Sequence, residues 1–172
     1  SDEVKPDAGE AVARLRELGV KKVVMLTGDG EPEARRVAQN LGLDAYFAGL
    51  LPEDKVAKVE ELASSLGRRQ KLAFVGDGIN DAPVIARADV GVAMGGLGSE
   101  AAIELADVVL MEDKPSKLAA AVEIAARTGR IVRENVTFAL GMKAFFLLLG
   151  VLGVATMWEA VFADVGVALI TI

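Results

Sequence analysis

The chain is organised around one stretch, Gly76-Asp77-Gly78-Ile79-Asn80-Asp81-Ala82-Pro83. It follows the apolar run 72–75, which has the length and composition of a buried strand. Such a strand delivers the oxygen atoms of the next loop to its carboxyl end, where open α/β sheets bind ligands. Asp77 and Asp81 stand four residues apart around a turn, so both carboxylates can face one octahedral Mg²⁺ ion. The stretch predicts a site for Mg²⁺ and phosphate.

Short apolar runs alternate with helical patterns through the first two thirds of the chain. This alternation predicts a Rossmann-type α/β fold with a parallel sheet and right-handed crossovers. We expect strands at 23–26, 45–48, 72–75, 89–94 and 107–111. We expect helices within 10–18, from Glu31 to Gly42, from Pro52 to a cap at Gly67, and at 99–105.

Composition excludes several classes of function. A net charge of −6 argues against nucleic acid as a partner, because phosphate backbones select basic faces. The 172 residues contain no cysteine and no histidine. A disulfide or a thiolate site within these residues is therefore excluded, and any metal bound here must be held by oxygen.

The last part of the chain has the composition of membrane helices. Residues 136–172 carry only three charged side chains, Lys143, Glu159 and Asp164. The segment 136–157 is long enough to span a hydrocarbon core of about 30 Å. Three arginines precede it and suit a cytoplasmic boundary, and Trp158 follows it as an interfacial anchor. We therefore expect a cytoplasmic α/β domain attached to membrane helices.

These patterns set the expected domain boundaries. We assign 1–114 to part of an α/β domain, 115–135 to a stalk helix and 136–157 to a transmembrane helix. The segment 158–172 is expected to be a second transmembrane helix, truncated because it is too short to span alone.

Three polar clusters lie at strand ends or helix starts: Thr27-Gly28-Asp29, Lys55, and the stretch 76–83. Taken singly, the first is an ordinary turn, and Lys55 is a solvated lysine at a helix start. Together they supply a hydroxyl or backbone amide for phosphate, a lysine to offset charge, and acidic ligands for Mg²⁺. Phosphoryl transfer to a carboxylate requires these groups.

In these motifs the chain resembles the carboxyl-terminal portion of a P-type ATPase, whose phosphorylation domain has a haloacid dehalogenase-like fold. The resemblance covers nearly the whole chain, including Leu51-Pro52-Glu53-Asp54-Lys55-Val56 and the segments 25–29, 75–83, 90–95 and 106–110. It implies that Mg²⁺ and ATP take part in the reaction.

The resemblance also implies roles for the polar residues. Asp77 and Asp81 would bind Mg²⁺. Asn80 and Asp81 would orient the site. Thr27 and Asp29, around Gly28, would contact phosphate or nucleotide, and Lys55 would neutralise the aspartyl phosphate.

The membrane half resembles that of pumps that export Zn²⁺, Cd²⁺ and Pb²⁺. The similarity lies in Asn135, Lys143, Trp158 and the segment 163–166. Ionisable groups in apolar spans usually mark an ion path, so Asp164 is the candidate metal ligand and Lys143 its counter-charge. The alternative is that Lys143 snorkels to the interface and Asp164 lies outside the bilayer.

Several parts of such a pump do not occur in this sequence. They are the Asp-Lys-Thr-Gly-Thr motif with the phosphorylated aspartate, the nucleotide-binding and actuator domains, and the earlier membrane helices with Cys-Pro-Cys. By itself the chain is expected to be inactive, because the nucleophile is missing. The remainder of the pump and membrane lipid are the expected partners.

We therefore expect these residues to come from a multi-pass heavy-metal exporter of the plasma membrane. Two alternatives stay open: a membrane-tethered phosphatase of haloacid dehalogenase type, and a non-catalytic remnant or regulatory fragment.

Overall fold

The structure is a computed structural model that describes residues 4–76, 79–95, 100–153 and 166. The chain divides into two units, Ser1–Val122 and Glu123–Ile172. The first unit contains all the described strands, and all of them pair in parallel. The predicted α/β class is confirmed.

The chain begins with helix α1 (Ala8–Glu17), followed by strand β1 (Val24–Leu26), helix α2 (Glu31–Leu41) and strand β2 (Ala45–Phe47). Helix α2 has a proline in its first turn and ends at Gly42 in the left-handed conformation, as its sequence predicts. Strands β1 and β2 form a two-stranded sheet in which Val24 lies opposite Ala45. The predicted elements in this part are confirmed to within one or two residues.

The second part contains helix α3 (Pro52–Ser64), strand β3 (Ala73–Gly76), a 3₁₀ turn (Ile79–Asp81), helix α4 (Ala82–Ile85), strand β4 (Val90–Met94), helix α5 (Glu100–Leu105) and strand β5 (Val108–Leu110). The strands form a sheet of order β3-β4-β5. Its core consists of buried Ala82, Ile85, Ala93 and Ala102, with Phe74, Ala106 and Val109 packed against them.

Gly91 in β4 allows α4 to lie directly on the sheet. A Cβ atom at this position would come 2.6 Å from both Ile85 Cγ2 and the Ile85 carbonyl oxygen. Only glycine fits so close a backbone approach. Ile85 is therefore almost fully buried, at 1% exposure.

Three aspartates fix the register of the parallel strands. Each aspartate immediately precedes the second strand of a parallel pair. Its carboxylate accepts the main-chain N–H of the residue opposite it on the first strand, which lies one position before the first paired residue of that strand. The bonds join Val23 N to Asp44 at 2.7 Å, Leu72 N to Asp89 at 2.9 Å, and Gly91 N to Asp107 at 2.8 Å. We call Asp44, Asp89 and Asp107 the register aspartates.

The end of α3 differs from the sequence prediction. The helix stops at Ser64 with Ser65 as its cap, so the predicted cap at Gly67 is wrong. The physical reason lies in the two serines, whose hydroxyls donate to the carbonyls of Glu61 and Leu62 at 2.7 Å each. Such local side-chain bonds compete with helix continuation.

Helix α6 (Ser116–Val151) is 36 residues long. It is long and apolar enough to cross a membrane, and its most apolar stretch is not buried inside the protein. Helix α6 ends at Val151, and Gly153 adopts φ +71°. The expected boundaries at 114, 135 and 157 remain predictions, and Trp158 and most of 158–172 lie outside the described residues.

The bonds of Asp44 predict an acid-sensitive fold. The N–H of Val23, followed by the Arg16 guanidinium, lowers the pKa of Asp44 below 3.8. Because the folded-state pKa lies below the unfolded value, Asp44 stabilises the fold above that unfolded value, and this contribution is lost as pH falls through the folded pKa.

We expect Asp44→Asn to reduce unfolding stability at neutral pH and to converge on the wild type in acid. The measurement is urea unfolding of the detergent-solubilised chain, followed by circular dichroism across pH. Glu17→Gln is the control, since Glu17 is exposed and pairs with Arg14 inside the same helix. A difference between Asp44→Asn and wild type that stays constant with pH contradicts the prediction.

Candidate functional site

The loop after β1 is closed around the side chain of Thr27. The Thr27 hydroxyl donates to Asp29 Oδ2 at 2.9 Å and accepts the main-chain N–H of Asp29 at 3.0 Å. This hydroxyl is half-buried at the end of the strand, whereas Asp29 is exposed. The structure therefore brings Thr27, Gly28 and Asp29 into one turn, as the sequence predicts, and fixes the position of the hydroxyl.

The loop after β2 docks onto this turn through the main chain. Leu50 N donates to the Thr27 carbonyl at 3.0 Å, and Gly49 N donates to the Asp29 carbonyl at 2.8 Å. A Cβ at Gly28 would lie 3.4 Å from the Leu50 carbonyl oxygen, so the two loops approach closely. These bonds hold the start of α3 beside Thr27.

The first turn of α3 sets the position of Lys55. Asp54 Oδ2 accepts the N–H of Leu51 at 3.0 Å, and Lys55 N donates to the Leu51 carbonyl at 3.1 Å. The Asp54 carboxylate thereby caps the helix start, where it also complements the helix dipole. A lysine can neither cap the helix start nor complement the helix dipole there. The position of Lys55 in the first turn therefore has another cause.

Lys55 is held by the loop that follows β3. Its ammonium group donates to Asp81 Oδ1 at 2.9 Å, and the two side chains are only 18% and 13% exposed. Asp81 comes from the stretch 76–83, whereas Lys55 follows β2. This mostly buried ion pair joins the carboxyl ends of the two sheets.

Gly76 at the end of β3 allows Asp81 to fold back onto the strand. A Cβ at Gly76 would lie 2.7 Å from Asp81 Cβ and 3.1 Å from Asp81 Oδ2. No side chain fits in that space, so glycine is required for the position of the Asp81 carboxylate. The contact explains why the motif begins with glycine after the strand.

The structure does not bring every predicted residue into this site. Asn80 is exposed in the 3₁₀ turn beside Asp81, and Lys143 lies within α6. Asp77 and Asp164 lie outside the described residues, so their assignments remain predictions.

The donor set fits a hard cation only in part. Asp81 Oδ1 is bonded to Lys55, and no hydrogen bond within the described residues uses Asp81 Oδ2. In the part of the chain that the structure describes, no three acidic side chains converge to hold a metal ion. A carboxylate oxygen is a suitable Mg²⁺ ligand, but a complete site needs further oxygens, of which Asp77 is the predicted source.

Sequence reasoning missed two parts of the site. One is Asp54, whose position three residues after the helix cap is the pattern of a capping residue and could have identified it. The other is the pair of main-chain bonds from Gly49 and Leu50. No side-chain pattern signals these bonds, because they join backbone atoms of residues at least 20 positions apart.

The chain resembles known proteins over its whole length. It is 63% identical over 172 residues to a zinc-transporting ATPase of Synechocystis sp., covering all of this chain and 24% of the relative. It is 60% identical to a cadmium, zinc and cobalt-transporting ATPase of Bacillus subtilis, with the same coverage. These matches confirm the resemblance to zinc- and cadmium-transporting P-type ATPases.

A solved structure agrees with these relatives. The crystal structure of a zinc-transporting PIB-type ATPase in the E2.Pi state matches with a TM-score of 0.90 at 43% identity, over 99% of this chain and 27% of that chain. The chain therefore spans about a quarter of the length of the proteins it matches.

A family match covers the part of the chain that carries Thr27, Lys55 and Asp81. Residues 1–89 match the family described as haloacid dehalogenase-like hydrolase, which is more than half of the 172 residues. The parallel strands and the residues gathered at their carboxyl ends agree with this match. The chain belongs to the haloacid dehalogenase-like hydrolase family.

Proposed function

We propose that the chain is part of an ATP-driven exporter of Zn²⁺, Cd²⁺ or Pb²⁺ that works through an aspartyl-phosphate intermediate. The observation that carries the proposal is the Lys55–Asp81 pair, held beside the Thr27 turn. The high identity to zinc- and cadmium-transporting ATPases supports the same conclusion. Lead rests on the sequence resemblance alone.

In this function, Lys55 offsets the charge of the phosphoryl group. When phosphate binds, the Thr27 hydroxyl exchanges its acceptor Asp29 Oδ2 for a phosphate oxygen. The turn holds this hydroxyl in place before the reaction, and a donor fixed in advance stabilises charge effectively. Asp81 keeps Lys55 in position before phosphate arrives. Mg²⁺, held by Asp77 and Asp81, would neutralise further phosphate charge when bound.

The phosphorylated aspartate must come from another part of the pump. Strands β1 and β3 each pair on one side only within the described residues. An unpaired edge of a buried parallel strand is a ready partner for another strand. We propose that a strand from the remainder of the pump occupies these edges and delivers the carboxylate between Thr27 and Lys55.

Helix α6 supplies the membrane part of the function. Its apolar side chains are exposed, including Leu140 at 63%, Leu147 at 73% and Val151 at 79%, so we assign them to contacts with lipid. We place the α/β unit in the cytoplasm and the multi-pass pump in the plasma membrane, and we propose Lys143 and Asp164 for the metal path.

Replacing Lys55 tests the phosphoryl site. In the intact pump, we expect Lys55→Ala to lower metal-stimulated ATP hydrolysis about 100-fold or more, as removal of one charge-stabilising group does elsewhere. Lys58→Gln is the control, because Lys58 lies one turn further along α3 and pairs with the exposed Glu61. Equal activities of the two variants would contradict the proposal, and phosphatase activity without metal stimulation would favour the tethered phosphatase.

Gly76→Ala tests the position of Asp81 without removing a charged group. The added methyl group must displace Asp81, and a shift of about 1 Å in such a site costs on the order of 100-fold in rate. We expect reduced formation of the phosphorylated pump, measured with radiolabelled ATP. Gly9→Ala in α1, where an added Cβ meets nothing within 4 Å, should leave it unchanged. Normal phosphorylation of Gly76→Ala would overturn the role of this contact.

The metal path has a separate test. We expect Asp164→Asn and Lys143→Met to lower metal-stimulated ATP hydrolysis at least about tenfold while phosphorylation by inorganic phosphate persists, because ionisable groups within a span act on the transported ion. Lys55→Ala should lose both metal-stimulated ATP hydrolysis and phosphorylation by inorganic phosphate. Lys117→Gln, at the exposed start of α6, is the control. Wild-type metal stimulation in both Asp164→Asn and Lys143→Met would rule out these assignments.

A further inference from the structure

A basic loop lies between α3 and β3, at the end of the strand that points away from the phosphoryl site. Its residues are Gly67-Arg68-Arg69-Gln70-Lys71. Gln70 N donates to the Gly67 carbonyl at 2.8 Å, and Gly67 N donates to Gln70 Oε1 at 2.9 Å. These two bonds close the loop and leave Arg68 and Arg69 exposed at its tip.

A second pair of cations has the corresponding position before β1. Lys21 and Lys22 are exposed and directly precede the residues that enter this strand. The carboxyl ends of β1 and β3 contribute to one site through the Thr27 turn and the Lys55–Asp81 pair. Their amino ends therefore point away from it, and we call Lys21, Lys22, Arg68 and Arg69 the basic edge.

Of the cations of the basic edge, Lys22 acts on Asp44 through its charge alone. Two carboxylates lie at the same strand ends, but Asp44 is bonded to Val23 N and Arg16, and Asp89 is bonded to Leu72 N and Lys71. Over the residues that the structure describes, the four cations of the basic edge form no ion pair. They are a local excess of positive charge in a chain whose net charge is −6.

We propose that the basic edge binds the headgroups of anionic phospholipids. The argument for a lipid partner is that the same chain carries a helix able to cross a membrane, with Arg127, Arg130 and Arg133 before its most apolar part. Anionic leaflets attract basic side chains, and each Lys or Arg that comes within a Debye length of the membrane surface strengthens the contact about fivefold. This inference does not depend on pump activity, so its failure and that of the proposed function are distinguishable.

The test uses the full chain reconstituted in lipid vesicles. The chain has no cysteine, so Ser65→Cys provides a single thiol for a fluorophore at the exposed end of α3. Nitroxide on the lipid headgroups quenches a fluorophore that approaches the membrane surface. We expect at least about twofold stronger quenching in phosphatidylcholine mixed with phosphatidylglycerol than in phosphatidylcholine alone, and loss of the difference at high salt. A fluorophore at Glu33→Cys, in the first turn of α2, should show no such difference.

Charge removal decides the assignment. Arg68→Gln with Arg69→Gln should abolish most of the quenching by anionic vesicles. The matched control is Arg35→Gln with Arg36→Gln, an adjacent exposed pair of arginines that loses the same charge. The proposal is overturned if neutral vesicles quench the wild type as strongly as anionic vesicles do. It is also overturned if the two double variants reduce the quenching by anionic vesicles to the same extent. Absence of quenching in every vesicle also overturns it and favours an acidic protein surface as the partner.

Discussion

The register of the parallel strands determines which side chains reach the candidate site at their carboxyl ends. A slip of one residue would turn every side chain of a strand to the opposite face. Such a slip would move Gly76 away from Asp81 and Thr27 away from the end of β1. The register aspartates prevent it by accepting one main-chain N–H immediately before each strand pair begins. The geometry at the carboxyl ends of the strands thus depends on bonds made at their amino ends.

The site itself is assembled from three loops that are distant in sequence. Main-chain bonds join the loop after β2 to the Thr27 turn, and an ion pair joins α3 to the loop after β3. An ion pair as little exposed as Lys55–Asp81 gains little net stability, because desolvation offsets most of the attraction. In the proposed function, its value lies in keeping an ammonium group oriented where phosphate charge develops. An arriving phosphoryl group then replaces part of an existing interaction and need not order a free side chain.

The sequence was sufficient for the fold and for locating the polar clusters that the structure gathers at the strand ends. Apolar runs identified each strand to within two residues, and the motif spacing placed Thr27, Lys55 and Asp81 at strand ends or helix starts. It failed at the end of α3, where the hydroxyl bonds of Ser64 and Ser65 end the helix before the glycine. The register aspartates also escaped prediction, because an aspartate before a strand looks like any turn residue until the opposite strand is known.

Helix α3 links two ends of the α/β unit. Its 13 residues extend over about 20 Å. Lys55 lies near its amino end, and the basic loop, residues 67–71, follows its carboxyl end. Val59 is almost fully buried at 1% exposure, and Glu60 is bonded to Arg87 at 3.0 Å, so the helix is fixed along its length. A hydrogen-bonded helix moves as one body, and any coupling between its ends is reciprocal. If occupancy of the loop shifts α3, the orientation of Lys55 must change with it, and phosphate bound to Lys55 must alter the affinity of the loop to the same extent.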